Sequence, residues 1–171
     1  MLTVSDTREA ADDKSGATLA ERIEKAGHTV AGRAIVTDDV EKIRQQIRTW
    51  IADKGVDVII STGGTGFTGR DVTPEAVEPL FEKRMDGFSV AFHLVSHAKI
   101  GSSTIQSRAT AGVAGATFIF CVPGSPGACR DAWDEILVHQ LDYRYRPCNF
   151  VELMPRLDET MRRAKAEGAT A

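Results

Sequence analysis

The sequence predicts an α/β fold: a doubly wound, mostly parallel sheet with helices on both faces. Short runs rich in β-branched residues alternate with segments whose apolar residues recur at helical spacing. Polar or glycine-rich segments follow several of these runs, as ligand-binding loops do at the carboxyl ends of parallel strands. Because 171 residues is close to the common size of one domain, we expect a single domain over 1–153 and a charged, frayed segment over 154–171.

The first half of the chain contains three predicted strands and two predicted helices. Apolar residues at 40, 43, 47, 50 and 51 form the stripe of an amphipathic helix, and the run 56–61 is typical of a buried parallel strand. In chain order the predictions are a strand at 2–4, a polar loop at 5–14, a helix around 19–26, a strand at 28–36, a helix at 40–51 and a strand at 56–61.

The second half contains three predicted helices and one predicted strand. Thr73 is the expected N-cap of the first helix, with Pro74 in its first position and Glu75 where a negative charge suits the helix dipole. The predicted helices cover 74–85, 88–98 and 128–141, and the strand covers 117–122.

Composition excludes several classes of partner. The net charge is −3, from 21 Lys and Arg against 24 Asp and Glu, so no overall positive field attracts nucleic acid or an anionic membrane. Cys121, Cys129 and Cys148 form no CxxC pair, which argues against a disulfide framework or a zinc site. The sequence shows neither a membrane-spanning apolar run nor a signal peptide. We expect a cytoplasmic protein with neither a nucleic-acid nor a membrane partner.

Three segments that follow predicted strands are expected to share one pocket. Gly63-Gly64-Thr65-Gly66 can align backbone N–H groups around an anion, and Ser125 to Gly127 opens a helix whose free N–H groups suit phosphate. The first segment fits neither GxGxxG nor the P-loop pattern, and a simple tight turn is an equal alternative.

Carboxylates beside these loops suggest a bound cation. A free Asp71 would repel a phosphate, so it makes sense through Mg²⁺ or as an acceptor for a ligand hydroxyl or amine. Asp38 could supply a second carboxylate; alternatively Asp38 or Asp39 caps the following helix, and one can cap while the other stays free. Arg108 could pair with a phosphate, or 102–108 could be a solvated edge strand. The acidic segment 12–16 joins the rim of the pocket or is simply solvated.

Four motifs of this sequence together resemble the molybdenum cofactor biosynthesis proteins of the MoaB/MogA type, a group that includes the G domain of gephyrin. The resemblance extends from Leu2 to about Leu153, and the segments 104–108 and 146–150 are more similar to the MoaB branch than to MogA. The four motifs are TGGTG at 62–66, RDVTPEA at 70–76, Ser107-Arg108, and PGSP at 123–126.

The resemblance implies a molybdopterin-binding fold that assembles as a homotrimer or a hexamer, with other enzymes of the same biosynthesis as further partners. Active members transfer AMP from ATP to the terminal phosphate of molybdopterin and release pyrophosphate. Two carboxylates important there correspond here to Asp71 and Asp38, with Thr37 in place of the usual proline. Phe120-Cys121 stands near where the group often has asparagine.

Two functions are therefore expected: Mg²⁺-dependent adenylyl transfer, or a molybdopterin carrier or scaffold without catalysis. For the first, Asp71 and Asp38 are the expected catalytic residues and magnesium ligands. The expected substrate-binding and phosphate-binding residues are Thr62, Gly63, Gly64, Thr65, Gly66, Arg70, Ser107, Arg108, Pro123, Gly124, Ser125 and Gly127.

Overall fold

A computed structural model describes residues 1–159 and contains one six-stranded sheet with the strand order β2-β1-β3-β6-β5-β4. β1, β2, β3 and β6 run parallel. β5 pairs antiparallel with β6 on one side and with the edge strand β4 on the other. The strands are β1 Leu2–Val4, β2 Ala34–Val36, β3 Val58–Thr62, β4 Lys83–Arg84, β5 Thr110–Ala114 and β6 Thr117–Val122.

Helices cover both faces of the sheet, which confirms the predicted architecture. α5 continues through a π-helical turn, Trp133–Leu137, into α6. The helices are α1 Lys14–Lys25, α2 Val40–Ala52, α3 Thr73–Val77, α4 Asp86–Ile100, α5 Pro126–Ala132 and α6 Val138–Gln140, and short 3₁₀ turns lie at Glu78–Leu80, Gly101–Gln106 and Met154–Arg156.

Alternation along the central strands separates two hydrophobic clusters. Ile60 and Phe120 belong to the larger cluster, together with residues of α1, α4 and α5. Ile59 and Ile119 belong to the smaller cluster, together with residues of α2 and α3. Each strand thus buries both faces, as parallel central strands do. Met154 and Leu157 also pack against the larger cluster, so packing continues past residue 153; residues 160–171 of the expected tail lie outside the described part of the chain.

Two predicted elements are shorter than expected. The strand at 28–36 is only Ala34–Val36, which pairs in register with Leu2–Val4 of β1. The α-helix predicted at 74–85 ends at Val77 and is followed by the 3₁₀ turn Glu78–Leu80. Pro79 explains this, because it has no N–H with which to continue the hydrogen-bond pattern of the α-helix. Lys83–Arg84 instead pairs with β5 as an edge strand.

The hairpin of β5 and β6 was not predicted. Gly115 and Ala116 connect the two strands with φ values of 58° and 71°, as a two-residue hairpin turn requires. Thr110–Ala114 contains alanine and glycine in place of the bulky residues that usually indicate a strand. Gly112 is needed because a Cβ there would lie 2.4 Å from the Phe81 ring.

Candidate functional site

The loops that follow β1, β2, β3 and β6 meet at the carboxyl edge of the sheet around one polar cavity of about 380 Å³. A second cavity, of about 750 Å³, shares Ser5, Thr7 and Arg8 with the first and extends beside β2. Volumes in this range suit small-molecule ligands. The first cavity is lined by Val4, Ser5, Thr7, Arg8, Asp38, Gly63, Gly64, Thr65, Gly66, Arg70, Asp71, Gln106, Ser107, Pro123 and Gly124.

Glycine is required where the loop after β3 turns over the end of β1. Gly63 has φ +103°, and a Cβ there would lie 2.2 Å from the carbonyl oxygen of Val4. Gly64 has φ +63°, and its Cβ would approach Thr73 Oγ1 to 2.4 Å. Gly63 N–H donates to Val122 O at 3.1 Å. Within residues 1–159 the N–H groups of Gly64 and Thr65 have no hydrogen-bond partner, so both can donate to a ligand.

Thr73 fixes the far end of this loop. The predicted N-cap role was wrong: Val72 precedes the helix, and Thr73 is its first residue. The buried Thr73 hydroxyl instead donates to Gly63 O at 2.8 Å, and its N–H donates to Gly64 O at 2.9 Å. These two bonds tie the start of α3 to the glycine loop.

Asp71 closes the same loop from the other side. Its Oδ2 accepts hydrogen bonds from Thr68 N–H at 2.8 Å and Thr68 Oγ1 at 2.6 Å. A Cβ on Gly66 would lie 2.7 Å from that oxygen. Burial opposes ionisation of Asp71, but the hydrogen bonds from Thr68 and Gly66 outweigh it, and its pKa lies below the usual range. Asp71 is therefore an ionised carboxylate beside the glycine loop.

The two acids after β2 have different roles, as the sequence suggested. Asp39 caps α2 by accepting from Lys42 N–H at 2.9 Å. Asp38 lines the cavity. Burial raises the pKa of the Asp38 carboxyl, and the nearby negative charge of Asp6 adds to this, whereas Arg70 opposes it. A positive charge that entered the cavity beside Asp38 would relieve this repulsion.

Asp6 and Arg70 form an ion pair at the mouth of the cavity. Arg70 Nε donates to Asp6 Oδ2 and Arg70 Nη2 to Asp6 Oδ1, both at 2.7 Å. Asp6 Oδ1 also accepts from Asp38 N–H at 3.1 Å. The hydrogen bonds from Arg70 hold the pKa of Asp6 below its usual range, although desolvation opposes them. Asp6 thus joins the loops that follow β1, β2 and β3.

Arg108, which we expected to contact a phosphate, is bonded to the glycine loop and to α3. Its guanidinium donates to Gly66 O and Asp71 O at 2.8 Å each, and it also pairs with Glu75. Arg108 is absent from the cavity lining and holds the loop in place, so the expected phosphate contact stays a prediction.

Ser107, by contrast, lines the cavity. Its carbonyl oxygen lies 3.1 Å from His93 Nε2, and its hydroxyl accepts from Ala109 N–H at 3.2 Å. His93 Nδ1 lies 2.6 Å from the Ser89 carbonyl oxygen. His93 therefore connects α4 to the Ser107 segment.

The segment 123–127 contributes only its first part to the cavity. Pro123 and Gly124 line it, whereas Ser125 and Gly127 do not. Ser125 caps α5 by accepting from Ala128 N–H at 3.1 Å. The Thr62 side chain is also directed elsewhere, donating to Pro123 O at 2.9 Å. The hydrogen bonds of Thr62 and Ser125 shape the loop, and the ligand contacts expected of Thr62, Ser125 and Gly127 stay predictions.

Phe120 and Cys121 are buried away from the cavity. Phe120 and Cys121 lie in the hydrophobic clusters, and burial raises the pKa of the Cys121 thiol to about 12. Neither side chain lines the cavity, so having Phe120-Cys121 where the group often has asparagine does not change the cavity lining.

Asp13, from the acidic segment 12–16, caps α1 and accepts from the Thr3 hydroxyl at 2.8 Å. It lines the second cavity from a buried position.

Residues after β1 complete the site and were not predicted. Ser5, Asp6, Thr7 and Arg8 lie at the carboxyl end of a parallel strand, so the rule that indicated the other loops applied to them as well. Arg8 donates to Gly124 O at 2.9 Å and to Ser15 Oγ at 3.1 Å, which anchors it between two loops.

A cavity with a glycine loop, two carboxylates and arginines at this edge of a doubly wound sheet is typical of α/β proteins that bind phosphate-bearing small molecules. The chain matches the family described as "Probable molybdopterin binding domain" over residues 1–143. It is 50% identical over 150 residues to molybdenum cofactor biosynthesis protein B of Escherichia coli (strain K12), with 88% of each chain covered. The chain therefore belongs to this molybdopterin-binding family and to molybdenum cofactor biosynthesis.

Solved structures agree with this assignment. A crystal structure of molybdenum cofactor biosynthesis protein B matches with a TM-score of 0.83 and 39% identity, covering 92% of this chain and 93% of the other. The tungsten cofactor synthesizing protein MoaB from Pyrococcus furiosus matches with a TM-score of 0.71 and 35% identity, covering 80% and 87%. The resemblance found in the sequence is confirmed. Within residues 1–159, no helix is long and apolar enough to cross a membrane.

Proposed function

We propose that this protein transfers AMP from ATP to the terminal phosphate of molybdopterin and releases pyrophosphate. The observation that carries the proposal is the placement of Asp38 and Asp71, from separate loops, on one cavity with Gly63 to Gly66. Two adjoining cavities that share Ser5, Thr7 and Arg8 offer room for two ligands side by side. Membership of a molybdopterin-binding family supplies one of those ligands.

In the proposed reaction a phosphate oxygen of molybdopterin attacks the α-phosphorus of ATP in line. One O–P bond forms, the bond to the pyrophosphate oxygen breaks, and no proton must move when the attacking oxygen is already ionised. Catalysis of this kind depends on positioning and on neutralising charge. The free N–H groups of Gly64 and Thr65 would hold phosphate oxygens, and Arg70 would offset negative charge on the departing pyrophosphate.

The carboxylates fit a magnesium ion held mainly by its substrate. Asp38 and Asp71 both line the cavity, and no cluster of three or more His, Cys, Asp or Glu side chains suited to a metal occurs among the described residues. Mg²⁺ is commonly bound by one or two carboxylates together with phosphates and water. Asp38 and Asp71 would hold the ion. Its charge would offset the negative charge of the ATP phosphates, which otherwise repels the attacking phosphate oxygen of molybdopterin.

The test is adenylyl transfer by purified protein with molybdopterin, ATP and Mg²⁺, following adenylylated pterin and pyrophosphate. We expect Asp38→Asn and Asp71→Asn each to lower turnover at least 100-fold. Asp39→Asn is the matched control: it changes the neighbouring acid, and asparagine caps a helix as well as aspartate. Full activity in both cavity variants would refute the proposal.

A second candidate, a carrier or scaffold that binds molybdopterin without turnover, is favoured by one observation. Asp71 already accepts hydrogen bonds from its own loop, and a structural role alone would explain its position. The same assay separates the two functions, because a carrier binds molybdopterin but forms no pyrophosphate in any variant.

We also propose that the chain assembles with copies of itself. α4 exposes Val90 and Leu94 four residues apart, with exposed fractions of 60% and 69%. Ile100, the last residue of the same helix, and Ile105, in the 3₁₀ turn that follows, are also exposed. Apolar side chains grouped in this way indicate a contact surface, and a homotrimer or hexamer would cover it.

A further inference from the structure

Asp6 lines the second cavity, and the proposed reaction gives its carboxylate no role. It follows β1 directly and pairs with Arg70 through two hydrogen bonds of 2.7 Å. The pairing is bidentate, which fixes both the position and the plane of a guanidinium. Arg70 is otherwise a long, exposed side chain, with 63% of its surface accessible.

Asp6 also fixes the main chain of a second loop. Its Oδ1 accepts from Asp38 N–H at 3.1 Å. One side chain therefore sets the separation between Arg70, which follows β3, and Asp38, which follows β2.

We infer that Asp6 is a positioning residue that holds Arg70 and Asp38 in the arrangement needed to bind the phosphates of the nucleotide. Asp6 uses Nε and Nη2 of Arg70, which leaves Nη1 and the second hydrogen of Nη2 for a ligand oxygen. This inference rests on the proposed function for the identity of the ligand and on the ion pair for the role of Asp6.

A simple charge argument predicts the opposite effect, which makes the inference testable. Asp6 is a negative charge at the edge of a phosphate site. If it acted only through that charge, its removal would strengthen the binding of an anion. If it acts by positioning, its removal weakens binding, because Arg70 must then be ordered when the ligand enters.

The experiment compares Asp6→Asn with Asp142→Asn as a matched control. Asp142 also pairs with an arginine through two nitrogens, those of Arg144, and its side chain is 31% exposed against 36% for Asp6. It lines neither cavity. The first measurement is ¹⁵N relaxation of the Arg70 Nε–H group. We expect this group to be ordered in the wild type and in Asp142→Asn, and mobile in Asp6→Asn; equal order in all three proteins would overturn the inference.

The second measurement is the Kd for ATP with Mg²⁺, obtained by calorimetry. We expect Asp6→Asn to bind about tenfold more weakly, with Asp142→Asn unchanged. Unchanged or tighter binding by Asp6→Asn would overturn the inference. If the wild type binds no ATP, the proposed AMP transfer fails, and Arg70 relaxation then decides the role of Asp6 by itself.

Discussion

Replacement of Gly63 by alanine tests how closely the glycine loop lies against β1. Two costs add at this position. Gly63 has φ +103°, and left-handed backbone angles cost a residue with a Cβ roughly 1–2 kcal/mol. The new Cβ would also lie 2.2 Å from Val4 O, a backbone atom that cannot rotate away, and forced overlap in a packed region costs roughly 1–3 kcal/mol. We therefore expect Gly63→Ala to lower the free energy of unfolding by roughly 2–5 kcal/mol.

Gly27→Ala separates the two costs. Gly27 follows α1 with φ +88°, but a Cβ there would meet nothing within 4 Å, so only the backbone cost of roughly 1–2 kcal/mol remains. Thermal unfolding followed by circular dichroism is sufficient, because each kcal/mol shifts the Tm of a chain this size by about 2–4 °C. If Gly63→Ala loses no more stability than Gly27→Ala, the overlap with Val4 O is not a real constraint and our account of the loop is wrong.

Three further predictions concern pH, the Ser107 segment and assembly. The pKa of Asp38 is raised, so its ionisation opposes folding fully once the pH exceeds the raised value. The pKa of Asp71 is lowered, so its charge stabilises the fold above about pH 3.9. This stabilisation is lost as the pH falls through the lowered value. At pH 7 we expect Asp38→Asn to raise the Tm and Asp71→Asn to lower it; shifts of the same sign would contradict this. His93→Phe removes the bridge to Ser107 O and should weaken molybdopterin binding several-fold, with recovery in His93→Gln, whose amide still donates; equal binding by both variants would argue against the bridge. Leu94→Asp should reduce the mass measured by light scattering, whereas Leu153→Asp, which changes an exposed leucine outside α4, should not; an unchanged mass for Leu94→Asp would place the contact elsewhere.

The sequence was informative wherever local chemistry determined the structure. The stripe in α2 and the β-branched run of β3 specify their elements by periodicity and composition alone, and the ends of parallel strands indicate where ligands bind. Asp38 and Asp39 could be assigned as a pair, one capping and one free, because helix capping is a local rule.

Long-range pairing explains what the sequence could not predict. β2 covers only the three residues that pair with β1, and β5 contains few residues that favour strands yet pairs with β6 along its length. The sequence indicated Arg108 as a phosphate ligand. In the fold its guanidinium donates to three acceptors in the segment 66–75, which are distant enough along the chain that the sequence did not indicate them. Asp6 was overlooked because its role depends on residues 32 and 64 positions away.

The charges that line the first cavity indicate that a nucleotide should bind together with a cation. Asp38 and Asp71 line it opposite Arg8 and Arg70, and Arg70 is already paired with Asp6, so little positive charge is left to neutralise a phosphate. Arg8 is also partly occupied by Gly124 O and Ser15, which weakens its ability to offset a triphosphate. We expect ATP to bind at least tenfold more tightly with Mg²⁺ than with EDTA, and Asp38→Asn to reduce this dependence, because one of the repelling charges is gone. Equal affinity with and without Mg²⁺ would mean that the arginines and the N–H groups of the glycine loop neutralise the phosphates unaided, and that the carboxylates serve only to shape the loops.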